Sequence, residues 1–246
     1  MISRSIPLVA LLSLIDLCSA NAGRDFAKAI ALDSSENVYL TGSSEGPGTA
    51  LDFVTIKQDG MGVIKWKARF NGPAFGNDVP SALAVDGWGS VYVTGSSFGV
   101  GSGLDFVTIK YNSWGSVQWI ARFNGAANRD DVPNALAIDS AGNVYVTGSS
   151  QSTSGDRDFQ TIKYSTGGNI LWSVRWSGLA GDDIARAIAL DGSGNVFVTG
   201  SSSGAGSGLD YVTIKYDSNG ALTWWTRYNG PGNGDDIPVA LALDNW

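Results

Sequence analysis

Residues 131–182 read DVPNALAIDSAGNVYVTGSSQSTSGDRDFQTIKYSTGGNILWSVRWSGLAGD. The chain says nearly the same thing before and after this stretch. Its Thr-Gly dipeptide falls at Thr41, Thr94, Thr147 and Thr199, in steps of 53, 53 and 52 residues. An opening Asp recurs at Asp25, Asp78, Asp131, Asp183 and Asp236. A fixed period near 50 is the mark of a repeat architecture, and it governs every other reading.

Each unit holds four short apolar runs parted by turn residues. In the third unit they are 134–139, 143–148, 158–164 and 170–176. β-Branched and aromatic residues fill them, as strands require. Asp139-Ser-Ala-Gly-Asn143 and Ser165-Thr-Gly-Gly-Asn169 carry the Asp, Asn and Gly that tight turns use. Four strands per unit, repeated, predict an all-β chain: a β-propeller of four-stranded blades. Phe159, Thr161 and Lys163 face one way and Gln160 and Ile162 the other. Both faces therefore carry apolar groups, as in a sheet sandwiched between neighbours. The first strand is small (Ala135, Ala137 and equivalents), which suits the axis. The fourth carries bulk at Trp66, Trp119, Trp172 and Trp224, which suits the wide outer edge.

The pattern A-x-D-x-x-G-N-V-Y-V-T-G-S-S, then D-F-x-T-I-K-Y, then G-x-x-x-W-x-x-R-x-x-G resembles the SBBP repeat, a bacterial β-propeller repeat. The resemblance runs from Gly23 onward. It implies a propeller fold and a secreted or cell-surface protein, and it does not name an activity.

The blades are expected at about 25–77, 78–130, 131–182 and 183–235, with part of a fifth at 236–246. Just over four units implies either a closed four-bladed ring with a surplus strand, or an incomplete ring or open array; the second is favoured. Exposed blade edges would then promote self-association with another chain.

Residues 1–22 differ. Arg4, the apolar run 6–15 and Ala20-Asn21-Ala22 read as a secretory signal peptide with a cleavage site. The run is too short to span a bilayer, which takes about 20 residues. Cys18 is the only cysteine, so no thiol chemistry survives cleavage.

The net charge of −7 argues against nucleic acid as a partner. The absence of His removes the usual general base and every Ser-His-Asp arrangement. Carboxylates remain. Asp78, Asp131, Asp183 and Asp236 open the units, and Asp52, Asp105, Asp158 and Asp210 open the third strands. Both sets, with the Gly/Ser-rich loops 43–51, 96–104, 149–157 and 201–209, are expected on one rim. That rim would bind a cation such as Ca²⁺, or a polyol, through oxygen ligands. The competing reading is that each Asp caps a turn and serves what every blade needs.

Lys57, Lys110, Lys163 and Lys215, with Arg69, Arg122, Arg175 and Arg227, are expected to pair with repeat Asp residues between blades. The Asp59-Gly62-Trp66 and Asp217-Gly220-Trp224 spacing resembles the tryptophan-docking device of quinoprotein-like propellers, a staple between blades. Departures from the repeat are few: the polar loop 151–157 with Asp156 and Arg157, single arginines at Arg129 and Arg186, and turn aromatics Phe75, Phe98, Trp88 and Trp114. Exposed aromatics of this kind are commonly incidental, and the competing reading is that they mark carbohydrate or protein contact. The functional expectation is a secreted or surface module that binds or assembles with protein or glycan, without catalysis and with no cofactor unless Ca²⁺. The alternative is a carboxylate-based polysaccharide hydrolase or lyase.

Overall fold

The structure is a computed structural model describing residues 23–179 and 181–244. Residues 1–22, read above as a signal peptide, therefore lie outside the described residues. Sixteen strands form four separate antiparallel sheets, each in simple up-and-down order. Blade 1 holds β1 (Asp25–Leu32), β2 (Val38–Glu45), β3 (Leu51–Gln58) and β4 (Ile64–Phe70). Blade 2 holds β5 (Asp78–Val85), β6 (Val91–Phe98), β7 (Leu104–Tyr111) and β8 (Val117–Phe123). Blade 3 holds β9 (Asp131–Ile138), β10 (Val144–Gln151), β11 (Arg157–Tyr164) and β12 (Ile170–Trp176). Blade 4 holds β13 (Asp183–Leu190), β14 (Val196–Ser203), β15 (Leu209–Tyr216) and β16 (Leu222–Tyr228). No helix among the described residues is long and apolar enough to cross a membrane.

The first strands β1, β5, β9 and β13 contact one another in sequence, so the alanine-lined strand is innermost. Each first strand begins at the unit's Asp, earlier than the apolar run suggests. Asp131 and Val132 continue the ladder opposite Ser150 and Ser149. The register shifts by one residue where the Thr-Gly of the second strand passes: Thr147 faces Ala135 and Gly148 faces Pro133. There a Cβ on Gly148 would lie 2.1 Å from the Val132 carbonyl, so the glycine is required by close approach.

Blades pack through three clusters with one chemistry. Each blade offers aromatics forward, and the next blade receives them on branched aliphatics. Tyr39 and Phe53 meet Val91, Val93, Val107 and Ile109. Tyr92 and Phe106 meet Val144, Val146 and Ile162. Tyr145 and Phe159 meet Val196, Val198, Val212 and Ile214. The outer strand adds a staple. Trp66 Nε1 donates to the Ser113 carbonyl of the next blade, Trp119 Nε1 to Thr166 and Trp172 Nε1 to Ser218, at 2.9–3.1 Å. Each indole lies on a left-handed glycine of that turn, namely Gly115, Gly168 and Gly220. The tryptophan-docking device is thus present at all three junctions, including those whose turns open with Asn112 and Ser165 instead of Asp.

Contacts between blades run 1 to 2, 2 to 3 and 3 to 4, and ring closure between blades 4 and 1 is not seen. The forward face of blade 4 is consequently open. Tyr211, Trp224 and Tyr228 are 38–58% exposed, whereas Phe53, Phe106 and Phe159 at the Tyr211 position are 0–1% exposed. Residues 236–244 repeat the first-strand sequence but form no ladder. In the other units that strand pairs with the second strand of its own blade, as β9 does with β10.

Candidate functional site

Two ends of the arc can be compared. The loop end carries the β2–β3 and β4–β1 connections, and the turn end carries the β1–β2 and β3–β4 turns.

At the loop end the repeat carboxylates sit inside the fold. Asp52, Asp78, Asp105, Asp131, Asp158, Asp183 and Asp210 are 0–6% exposed, and Asp236 is half-buried. Asp52 Oδ2 accepts Arg69 Nη1 at 2.6 Å, and Asp105 and Asp210 take Arg122 and Arg227 at 2.7 Å. Asp158 takes Arg175. These pairs join the third strand to the fourth of the same blade, β3 to β4, β7 to β8, β11 to β12 and β15 to β16. The expected pairing between blades is corrected here, because the two residues stand on adjacent strands of one sheet and face the same way. The guanidinium also reaches the Ser44, Ser97, Ser150 and Ser202 carbonyls, so it ties three strands together. The lysines do something else. Lys57, Lys110 and Lys163 lie over the Tyr39, Tyr92 and Tyr145 rings of their own blades, and Lys215 over Phe197, at 4.9–5.1 Å.

Asp78, Asp131, Asp183 and Asp236 each accept a backbone N–H from the preceding loop, from Gly72, Gly125, Gly178 and Gly230, at 2.5–2.6 Å. This bond closes the crossing from one blade to the next. Burial pushes the Asp78, Asp131 and Asp183 carboxyls above the usual range. Hydrogen bonds from the loop and from a serine oppose the shift, and the neighbouring Asp52, Asp105 or Asp158 charge adds to it. One oxygen of Asp52, Asp78, Asp105, Asp131 and Asp183 has no hydrogen-bond partner among the described residues. These carboxylates do not converge in threes: no group of three or more acidic, His or Cys side chains fit to hold a metal exists among the described residues. Phe75 and Phe98 also lie at this end, 72% and 38% exposed.

At the turn end each β1–β2 turn is organised by its leading Asp. Asp33 Oδ1 accepts Ser35 N and Asn37 N, and Oδ2 accepts Asn37 Nδ2 and Tyr39 Oη. Asp139 repeats all four bonds with Ala141, Asn143 and Tyr145. Burial pushes the Asp33 and Asp139 carboxyls up, but these donors outweigh it and hold both below the usual range.

Blade 2 breaks this pattern. Ser90 replaces the asparagine, so Asp86 Oδ2 takes only the Tyr92 hydroxyl at 3.0 Å, while Oδ1 takes Trp88 N and Ser90 N. Trp88 stands where the other blades have Ser35, Ala141 and Ser193. Trp114, on the β7–β8 turn, stands where they have Met61, Gly167 and Asn219. The two indoles are 75% and 81% exposed.

Beside them a cleft of about 420 Å³ opens between blades 1 and 2. Asp33, Ser35, Asn37 and Lys57 line it from blade 1, and Asp86, Trp88 and Ser113 from blade 2. It has one flat apolar wall and a hydrogen-bonding floor. Such a volume falls within the range of small-ligand sites, about 300–1,000 Å³. The sequence singled out both tryptophans but not the cleft, because blade 1 residues Asn37 and Lys57 look like ordinary repeat positions.

Residues 118–156 and 171–206 match SBBP, a beta-propeller repeat, so two stretches of the chain carry that repeat. No curated protein matches the chain. Among solved structures it is similar to a polysaccharide lyase, a PL25 ulvan lyase bound to -[GlcA(1-4)Rha3S]-, with a TM-score of 0.49 and 11% identity over 83% of this chain and 55% of the lyase. It is also similar to a mutant alpha-L-arabinofuranosidase from Fusarium graminearum in complex with an iminosugar inhibitor, with a TM-score of 0.49 and 14% identity over 87% and 68% of the two chains. A third similar structure is a GH43_12 protein retrieved from a capybara gut metagenome, with a TM-score of 0.46 and 12% identity over 92% and 46%. The chain spans about half the length of the lyase. Identities this low concern the fold alone.

Proposed function

We propose that this chain of SBBP-type propeller repeats is a non-catalytic module, displayed outside the cell, that binds its partner at the turn end of blades 1 and 2. One observation carries the reading: two tryptophans that break the repeat stand exposed on turns of one blade, and Trp88 lines a cleft. Single exposed apolar residues are ordinary, but an exposed indole lining a polar cleft is how binding sites are built. The repeat Asp residues of the loop end are buried and bonded to arginines or loop N–H groups, so a ligand at the surface has little access to them. That commitment also speaks against an acid–base pair at the loop end, where each carboxylate serves the fold.

The test is direct. The chain, incubated with insoluble polysaccharides and with immobilised surface proteins, should be retained on one of them without releasing new reducing ends. Steady release of reducing ends, abolished by one Asp→Asn change, would replace this reading with the hydrolase or lyase.

Assembly belongs to the same reading. The open aromatic face of blade 4 is where we place association with another chain, since interface cores favour Tyr and Trp and exclude charge. Trp224→Asp should reduce the mass seen by light scattering at high concentration. A wild-type chain that stays monomeric throughout would refute the association.

A further inference from the structure

We infer that the cleft between blades 1 and 2 is a subsite for a neutral glycan, with one sugar ring on Trp88 and the chain continuing toward Trp114. The inference rests on the binding-module reading above and adds the ligand's class.

The chemistry of the walls selects the class. A pyranose ring has an apolar C–H face and an edge of hydroxyls. The cleft has the complement: the exposed Trp88 indole on one side, and Asp33, Asn37, Lys57, Asp86 and Ser113 around it. An indole face presents negative charge to the polarised C–H groups, as it does to other positive edges.

The hydroxyl edge needs an acceptor with spare capacity. An ionised carboxylate offers about four lone-pair sites. Asp33 has filled four, with Ser35 N, Asn37 N, Asn37 Nδ2 and Tyr39 Oη. Asp86 has filled three, because Ser90 stands where Asn37 and Asn143 add an amide in blades 1 and 3; Asp191 also holds three, because Phe197 lacks the tyrosine hydroxyl, but Ser193 stands there in place of a tryptophan. The blade that gained the tryptophan is also the blade that lost the competing amide. Asp86 and Trp88 both line the cleft, so one sugar can meet the carboxylate with a hydroxyl while its ring covers the indole.

Charge narrows the class further. The lining holds two carboxylates, Asp33 and Asp86, against one ammonium, Lys57, on a chain of net charge −7. A uronate or sulfated chain would meet like charge there, so the site is one for uncharged sugars. The junctions between blades 2 and 3 and between blades 3 and 4 serve as internal controls. At the Trp88 position they carry Ala141 and Ser193, and at the Trp114 position Gly167 and Asn219.

The natural repeat also supplies fold-neutral variants. Trp88→Ala installs the residue of blade 3, and its backbone N–H keeps the same bond to the leading Asp, as Ala141 does with Asp139. Trp114→Asn installs the residue of blade 4, where Asn219 N bonds Asp217 in the same way. Ser90→Asn restores the missing amide.

The full chain should be titrated with neutral hexasaccharides of glucose, xylose and mannose, and with oligogalacturonate, by calorimetry and tryptophan fluorescence. At least one neutral hexasaccharide should bind and shift the indole emission. Trp88→Ala should weaken it roughly three- to tenfold, the value of one aromatic stack. Ser90→Asn should weaken it several-fold, with the far-ultraviolet circular dichroism of both variants unchanged. Failure of every neutral hexasaccharide to bind, preference for oligogalacturonate, or binding indifferent to Trp88→Ala would overturn the assignment. A protein partner captured through Trp88 with no neutral glycan bound would overturn the ligand class and leave the module reading standing. New reducing ends would instead overturn the module reading itself.

Discussion

Gly168→Ala tests the staple between blades 2 and 3. Gly168 has φ of 83°, and a Cβ there would lie 2.7 Å from Trp119 Cδ2 and 2.9 Å from Cγ. The left-handed conformation alone costs an alanine about 1–2 kcal/mol. Pushing the indole off its seat adds overpacking, about 1–3 kcal/mol, and strains the Trp119 Nε1 bond to the Thr166 carbonyl. The expected loss is therefore roughly 2–5 kcal/mol in urea unfolding followed by circular dichroism. Gly192→Ala is the control. It has open space around its Cβ and no left-handed φ, so it should leave stability within about 1 kcal/mol or raise it slightly.

The decisive measurement is the cycle with Trp119→Ala. Without the indole the added methyl meets nothing, and Gly168→Ala should then cost only its backbone part. The coupling between the two sites should be about 1–3 kcal/mol. If Gly168→Ala proves as mild as Gly192→Ala, or costs the same with and without Trp119, the staple does not hold the blades together.

Two further outcomes can be checked at once. Burial raises the Asp131 carboxyl above its ordinary value, against bonds from Gly125 and Ser150, so ionising it opposes folding. Its contribution is fully present below the unfolded value of about 4 and is lost as pH rises through the folded value. Asp131→Asn should therefore gain melting temperature relative to wild type between pH 4 and pH 7; a difference constant across that window would remove Asp131 as the titrating group. Swapping Ca²⁺ for a chelator should move the melting temperature by less than about 1 °C, because the repeat carboxylates are already held by arginines and loop N–H groups; a rise of several degrees with Ca²⁺ would place a cation on their unbonded oxygens.

Much of the architecture was legible because the period is strict. The Thr-Gly anchors, the four apolar runs and the alanine-to-tryptophan gradient each report one layer of a blade, and the structure places them in that order. The acidic rim was legible as residues but not as partners. Asp52 and Arg69 are 17 apart in sequence, and only the β3–β4 register brings them to 2.6 Å. Their burial could not be read either, because an Asp before a strand is equally common on a surface. The cleft was the least legible. Its two walls come from turns of different blades, and its spare acceptor depends on counting the bonds around Asp86.

The sequence by itself determined the blade, because alternation along a strand and turn residues between strands are local and repeat with the period. It also marked Trp88 and Trp114 as departures from that period. Tertiary structure alone decided which carboxylates are spent on the fold and which wall a ligand can reach. Those properties depend on what one blade presents to the next, and the forward aromatics and receiving aliphatics set that geometry only once the blades are stacked.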